Sequence, residues 1–360
     1  MNNGCGIARL AALLSLLAGG AAAFPGCWSK TRDEIVVYSA LDREFAEPVL
    51  ADFERQTGIR MLAKYDVEST KTVGLVQEII QEAPRPRCDV FWNNEILHTL
   101  RLEKRGLLEV YVAPGAAQFP NNYRSPNSRW YGLAARARVL IVNRDLVPRD
   151  QWPTTVEDLL RPEWRGKVGL AKPLFGTTAS HVACLFARLG PDDARRLLAS
   201  FKANEVQIAS GNKGCAQMVA AGALAFGLTD TDDALIEREA GKPVAIVYPD
   251  GAAPAADGAA AAASAPASGL GTLLLPNTLA VVKGAPHPDA AAKLIDFLLS
   301  PEVEARLAIG PSAQIPLNSR CTAVSRACRL ADLRPMEVDF AAAAAQFPAA
   351  AAYVEAEFLK

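Results

Sequence analysis

The sequence predicts an α/β fold long enough for two domains, and three observations carry that prediction. Short apolar runs such as EIVVYSA (34–40), CDVFW (88–92) and KVGLA (167–171) alternate with segments whose apolar residues recur at helical spacing. Cap and stop residues separate the two kinds of segment. The chain has 360 residues, half of them hydrophobic, which is enough for two cores. Alternation of this kind argues for a largely parallel sheet with helices on both faces.

Taken in order, EIVVYSA predicts a buried strand. DREFAEPVLADFERQTG (42–58) follows as a helix with Asp42 as N-cap and Gly58 as its stop, and Pro48 inside it is expected to kink it. IRMLAKY (59–65) is the next strand. STKTVGLVQEIIQE (69–82) places Leu75, Val76, Ile79 and Ile80 on one helical face. CDVFW is a strand, and EILHTLRLEKRG (95–106) a helix stopped by Gly106. RARVLIVN (136–143) is a long apolar strand, and Thr154 with Glu157 suggests a capping box before a short helix. Helices are predicted over 176–190, 192–205, 212–222 and 232–241, with strands VQIA (206–209) and ALAFGL (223–228) between them. LGTLLLPNTLAVVKG (270–284) reads as a strand pair, 288–308 as a helical pair, and the Ala-rich tail as helical near its end. The stretch 251–269, GAAPAADGAAAAASAPASG, has little to bury and reads as an exposed low-complexity insertion.

Charge and cysteines narrow the function classes. Lys and Arg total 38 against 39 Asp and Glu, and no basic block exists, so nucleic acid is not an expected partner. Arg9 precedes an apolar run from Leu10 to Leu17 and then small residues to Ala23, the layout of a secretory signal. Two exits stay open. Ala21-Ala22-Ala23 suits an ordinary signal peptidase, and FPGC ending at Cys27 is similar to a lipobox, which would make 1–27 a lipoprotein signal and tether the body by acyl chains. Export permits disulfides. Cys321 and Cys328 flank a short polar segment where a local bridge is expected, whereas Cys184 and Cys215 fall on apolar helix faces, as buried thiols or as a pair. No zinc spacing occurs.

The segment most suggestive of chemistry is GLTDTDDA (227–234), which crowds Asp230, Asp232 and Asp233 at the end of a predicted buried strand. Asp232 as an N-cap and Asp233 near a positive helix end is the structural explanation. It leaves Asp230 unexplained. Three close carboxylates need a positive partner, either a metal ion, a ligand ammonium, or a nearby Lys or Arg. Gly176, Thr177 and Thr178 open a helix whose N–H groups and hydroxyls suit an anion, and Ser69 and Thr70 open the earlier helix in the same way. Arg136 and Arg138 share one side of a strand, facing a cleft or forming structural ion pairs. Ser180 next to His181 raises a serine hydrolase, but no G-x-S-x-G elbow is present and adjacent helical residues do not face each other.

VYSALDREFAEPVLADFERQTGI, CDVFWNNEILHTLRLEKRGLL, ARARVLIVNRD, DLLRPEWRGKVGLAKP, NTLAVVKGAPHPDAAAKLIDFLLSPEVEARLA and IPLN occur in an order and spacing that resemble a periplasmic solute-binding protein of an ABC importer, of the ferric-ion-binding type. The resemblance spans roughly residues 34 to 320. It implies a two-lobed type II periplasmic-binding-protein fold with a ligand cleft between lobes: 34–136 plus 276–318 as lobe 1, 137–275 as lobe 2, and 319–360 as a tail packing on lobe 2. It further implies a periplasmic or extracytoplasmic monomer that is not an enzyme, has no obligatory cofactor, and closes on its ligand for a membrane permease.

Ferric relatives place a tyrosine pair where this chain has Thr231 and Asp232. A histidine of theirs is matched by Asp42, and a glutamate falls near Asn94 or Glu95. The resemblance therefore implies Asp42, Glu95, Asp230 and Asp232 as hard oxygen ligands for Fe(3+), with phosphate or carbonate bound beside the metal at Gly176–Thr178. Arg136, Asn212 and Asn277 match polar cleft positions. The same residue types suit a zwitterion such as an aminoalkylphosphonate, its amine on the aspartates and its phosphonate on the threonine loop. A sensor that passes the ligand-bound form to a receptor is a further reading.

Overall fold

One long strand organises the molecule. Tyr131–Asn143 (β4) has all thirteen residues buried, and its two halves serve different partners. Leading up to it are Glu34–Ser39 (β1), Arg43–Thr57 (α1), Arg60–Tyr65 (β2), Val73–Gln81 (α2), Val90–Asn93 (β3) and Leu97–Lys104 (α3). After it come Val168–Ala171 (β5), Gly176–Leu189 (α4), Pro191–Ala203 (α5), Gln207–Ala209 (β6), Asn212–Ala220 (α6), Phe226–Asp230 (β7), Thr231–Glu239 (α7) and Val244–Val247 (β8). Leu274–Val281 (β9), Pro288–Leu298 (α8), Pro301–Ile309 (α9) and Phe340–Tyr353 (α10) complete the chain. The computed structural model describes residues 33–66, 72–251 and 269–360. The export signal, Cys27, Ser69, Thr70 and most of the low-complexity insertion lie outside them.

The strand order is β2-β1-β3-β9-β4-β7-β5-β6, with β8 also pairing β4. β1 lies parallel to β2 and β3, and β5 parallel to β6 and β7. β4 pairs antiparallel with β9 through Tyr131–Ala137, then with β7 and β8 through Arg138–Asn143. The result is a mixed α/β architecture, as the alternation of strands and helices predicts, with β4 shared between the β9 side and the β7–β8 side of the sheet. The register shifts between Leu133 and Ala135, where Ala134 takes a positive φ of 34°. Buried Glu304 accepts the Ala134 N–H at 2.6 Å and also the N–H groups of Leu317 and Asn318, so the bulge is held by a carboxylate rather than by the ladder.

Most local expectations hold. Gly58 ends α1 at a φ of 73°, where a side chain would be strained. Asp42 occupies the N-cap position of α1 without a side-chain cap bond. Four readings are corrected. The capping box uses Thr155 and Asp158, one residue later than predicted, because Asp158 Oδ2 reaches the N–H of Thr155 at 2.9 Å. The predicted strand pair over 270–284 is the single strand β9, preceded by an isolated bridge at Thr272. Asp230, not Asp232, is the N-cap of α7. Cys321 and Cys328 are not bridged, and all five described cysteines are free thiols. Cys328 packs against the core that carries Ala137, Val139 and Ile246, whereas Cys321 sits in a turn closed by its own N–H on Asn318 O. Cys184 and Cys215 are fully buried.

The tail helix α10 is capped by Asp339, which accepts from the N–H groups of Ala341 and Ala342. It packs on α4 and also on α3, where the Phe347 ring meets His98 edge-on at 4.7 Å and lies under Arg101. The tail therefore touches elements from both sides of β4. Among the described residues, no helix is long and apolar enough to cross a membrane.

Candidate functional site

The carboxyl ends of β1, β3, β5, β6 and β7 converge on a cavity of about 570 Å³. Parallel strands deliver their following loops to one edge of a sheet, so ligand groups collect there. Each strand contributes polar residues at or just past its carboxyl end: Asp42 after β1, Asn94 after β3, Lys172 after β5, Asn212 and Lys213 after β6, and Asp230 at the end of β7.

Asp230 is placed by register. It sits directly opposite Arg138 on β4 and is 1% exposed. Its Oδ1 accepts from Arg138 Nη1 at 2.7 Å, and its Oδ2 accepts from Thr177 Oγ1 at 2.6 Å and Asn212 Nδ2 at 3.0 Å. Burial alone would raise its pKa, but Arg138, Arg136 and the Thr177 hydroxyl outweigh it and hold the carboxyl below its usual range. Asp232 and Asp233 occupy the first turn of α7, where the helix dipole favours negative charge. Carboxylate oxygens of all three aspartates lie within 4.8 Å of one another.

The positive partners that such a cluster requires come from β4. Arg138 is fully buried and also reaches Asn212 Oδ1 at 2.9 Å and Thr178 Oγ1 at 3.2 Å. Arg136, two residues earlier on the same face, donates through Nη2 to Asn94 O at 2.7 Å. Its Nη1 lies 3.4 Å from Asp232 and 3.6 Å from Asp230. Burial pulls the Arg136 pKa down, yet Asp232, Asp230, Asp42 and Asp233 together raise it above the ordinary guanidinium value.

Helix starts also line the cavity, in contact with Asp230. Gly176 begins α4 at a φ of 55° with open space where a Cβ would point, and the first N–H groups of a helix have no partner within it. Thr177 and Thr178 line the cavity too, although their hydroxyls bond inward, Thr178 Oγ1 donating to Asn212 Oδ1 at 2.9 Å. Lys172 and Lys213 line the cavity as well. No tyrosine, histidine or cysteine is among the described residues lining the cavity.

Of the predicted site residues, Asp42, Asn94, Arg136, Gly176, Thr177, Thr178, Asn212, Asp230 and Asp232 meet at this cavity. Glu95 and Asn277 do not line it. Glu95 is completely buried and accepts from the N–H groups of Leu97 and His98 at the start of α3, and from Ser180 Oγ at 2.8 Å. Its role is to hold backbone and a neighbouring helix, which removes it from the metal set. Asn277 donates to Leu133 O, Ala134 O and Gln314 Oε1, stitching β9 to the bulge of β4. Lys172 and Lys213 were not anticipated, although both follow the carboxyl end of a strand, the signal that identifies them. Ser180 donates its hydroxyl hydrogen bond to Glu95 and not to His181. Burial and Arg138 lower the His181 pKa to about 3.

Over residues 99–324 the chain matches the family model of bacterial extracellular solute-binding proteins. It is similar to Iron uptake protein A1 of Synechocystis sp., 25% identical over 288 residues, which cover 77% of this chain and 74% of that protein. It is also similar to the Fe(3+)-binding periplasmic protein of Serratia marcescens, 28% identical over 133 residues, 37% of this chain and 38% of that one. Among solved structures, iron-bound HitA from Pseudomonas aeruginosa superposes with a TM-score of 0.76 at 22% identity, covering 89% of this chain and 99% of that one. AfuA from Actinobacillus pleuropneumoniae, with fructose-6-phosphate bound, gives 0.74 at 20% identity, covering 89% and 97%. Strand order, the shared strand β4 and these superpositions agree on the type II periplasmic-binding-protein fold, and the chain belongs to the family of bacterial extracellular solute-binding proteins.

Proposed function

We propose that the protein is the substrate-binding component of an ABC importer, and that it captures iron(III) together with a phosphate or carbonate anion and delivers both to a membrane permease. The observation that carries the reading is the set of three carboxylates within 4.8 Å of one another at a cavity that the starts of α4 and α6 also line. Carboxylate oxygens suit a hard cation, and helix starts suit its anion. The iron-related names of the similar proteins support the same cargo. Asp230 is held by Arg138, Thr177 and Asn212, and Asp232 and Asp233, with Asp42 after β1, would add carboxylate oxygens for the metal. We take 34–136 with 276–318 as one lobe and 137–275 as the other, in a periplasmic monomer that is lipid-anchored if Cys27 is acylated.

A second reading is favoured by the arginine pair. Arg136 and Arg138 already neutralise much of the acidic charge, and Lys172 and Lys213 add two cations to the cavity lining. An aminoalkylphosphonate would set its ammonium on Asp232 and Asp233 and its phosphonate against Gly176 and Lys213. Calorimetric titration of chelator-stripped protein separates the two. Saturation by ferric ion supplied with phosphate or carbonate, one per chain, supports iron. Saturation by 2-aminoethylphosphonate without metal supports the zwitterion.

A further inference from the structure

A second concavity lies at the opposite ends of the strands that feed the ligand cavity. β1 and β3 run parallel, so their amino ends lie together, and antiparallel β9 finishes beside them. The turns there form a hollow of about 800 Å³, lined by Arg85, Arg87 and His287 and framed by Pro84, Pro86 and Pro286. One buried carboxylate assembles it. Asp89 is 0% exposed, accepts the Val36 N–H at 2.7 Å and the His287 N–H at 2.6 Å, and pairs with His287 Nδ1 at 2.9 Å. The turn after β9 lies against Pro86, since a Cβ on Gly284 would be 3.4 Å from Pro86 Cγ. Prolines hold their φ fixed, so the basic side chains project from a backbone with little freedom left to lose on binding.

The charge at this end is positive. Arg85 and Lys283 are exposed, and neither has an ion-pair partner among the described residues. Arg87 is 77% exposed and stands 3.6 Å from Glu82, whose carboxylate also accepts the Tyr38 hydroxyl. Exposed Asp33 and Asp289 offset part of this charge. What covers the face follows from where the chain enters it. Val36 of β1 lines the hollow, three residues after Asp33, and Cys27 stands six residues before Asp33. Six residues span at most about 20 Å, and the intervening sequence adds Lys30 and Arg32 and no acid. An acyl anchor on Cys27 therefore holds this end close to the bilayer, while the ligand cavity opens at the other end of β1. We propose that this basic, proline-framed face docks on an anionic phospholipid surface, with Arg85 and Arg87 on lipid phosphates. Guanidinium forks match phosphate oxygens, and a basic patch reinforces an acyl anchor. Docking leaves the cavity open on the side away from the lipid. The inference stands apart from the identity of the cargo.

The test is vesicle flotation of the mature chain carrying Cys27→Ala, so that no acyl chain contributes. This protein should float with vesicles of mixed phosphatidylcholine and phosphatidylglycerol, stay behind with phosphatidylcholine alone, and be released by added salt. Arg85→Gln with Arg87→Gln should weaken binding at least tenfold, and both positions are exposed, so the fold should survive. Arg195→Gln with Arg196→Gln, exposed on α5, removes the same charge elsewhere and should leave binding unchanged. Absence of flotation with the anionic vesicles, equal flotation with neutral ones, or unchanged binding after loss of Arg85 and Arg87 overturns the inference. Equal losses in the two double variants also overturn it, because diffuse charge then suffices. So does binding of inorganic phosphate that Arg85→Gln abolishes while vesicles stay unbound, which would make the face a small-ligand site. Both double variants should bind the cargo as the parent does, so failure of the cargo reading leaves this result standing.

Discussion

Ser180 on α4 donates its hydroxyl to Glu95 Oε2 at 2.8 Å, joining the start of α3 to an element on the far side of β4. Both residues are fully buried. The bond ties the start of α3 to α4, whose first residues line the cavity. Ser180→Ala should cost roughly 1–2 kcal/mol of stability in urea denaturation, because Glu95 keeps its backbone donors but loses one partner. It should also weaken ligand affinity without changing which ligand binds, as calorimetry would read.

Glu95 supplies a pH signature. Burial alone would raise its pKa, but His98, through charge and hydrogen bonds, and Ser180 bring it down to about 2. A carboxyl lowered on folding stabilises the native state above its unfolded pKa, and that contribution is lost as pH falls through the folded value. Glu95→Gln should therefore be less stable than wild type at pH 7. The difference in melting temperature should shrink between about pH 4.5 and about pH 2. A difference constant across that range would contradict the assignment.

Asp230 is the keystone of the charged network rather than a free ligand. Asp230→Ala leaves the fully buried Arg138 without its carboxylate, and removal of one partner from a buried ion pair costs about 3–5 kcal/mol. Chemical denaturation should show a loss of this size. Asp233→Asn, half-buried at the rim, should lose less than about 1 kcal/mol while impairing binding of a cationic group.

Gly227 on β7 lies behind the site. A Cβ there would sit 2.6 Å from Cys215 Sγ and 2.9 Å from Gly169 O. Gly227→Ala should destabilise by roughly 1–3 kcal/mol through overpacking. Cys215→Ala in the same chain should recover part of that loss, and a thermal-melt double-mutant cycle checks it.

Much of the fold was legible because alternating apolar runs and helical stripes are local signals. What escaped was set by tertiary pairing. β4 begins at Tyr131, five residues before the predicted start, because Gly132 and the alanines after it pair with β9 despite low strand propensity. Val244–Val247 was not assigned, since four residues carry too little pattern until β4 supplies a partner. At the site, the crowding of Asp230, Asp232 and Asp233 is visible in the sequence, and the structure brings their carboxylates within 4.8 Å of one another. Their counter-charges were not resolvable, because Arg138 meets Asp230 only through antiparallel register between segments about 90 residues apart. Glu95 looked like a ligand by position after a strand, but its own backbone two and three residues on captures it.

The central claim is tested most directly by equilibrium binding to the chelator-stripped mature protein, using ferric ion with phosphate or carbonate, and 2-aminoethylphosphonate, on wild type and the Asp232→Asn, Asp233→Asn double variant. The account predicts one site per chain with a Kd below about 10 µM for one of these ligands, weakened at least tenfold in the double variant. Absence of saturable binding to wild type, or unchanged affinity in a folded double variant, would contradict it.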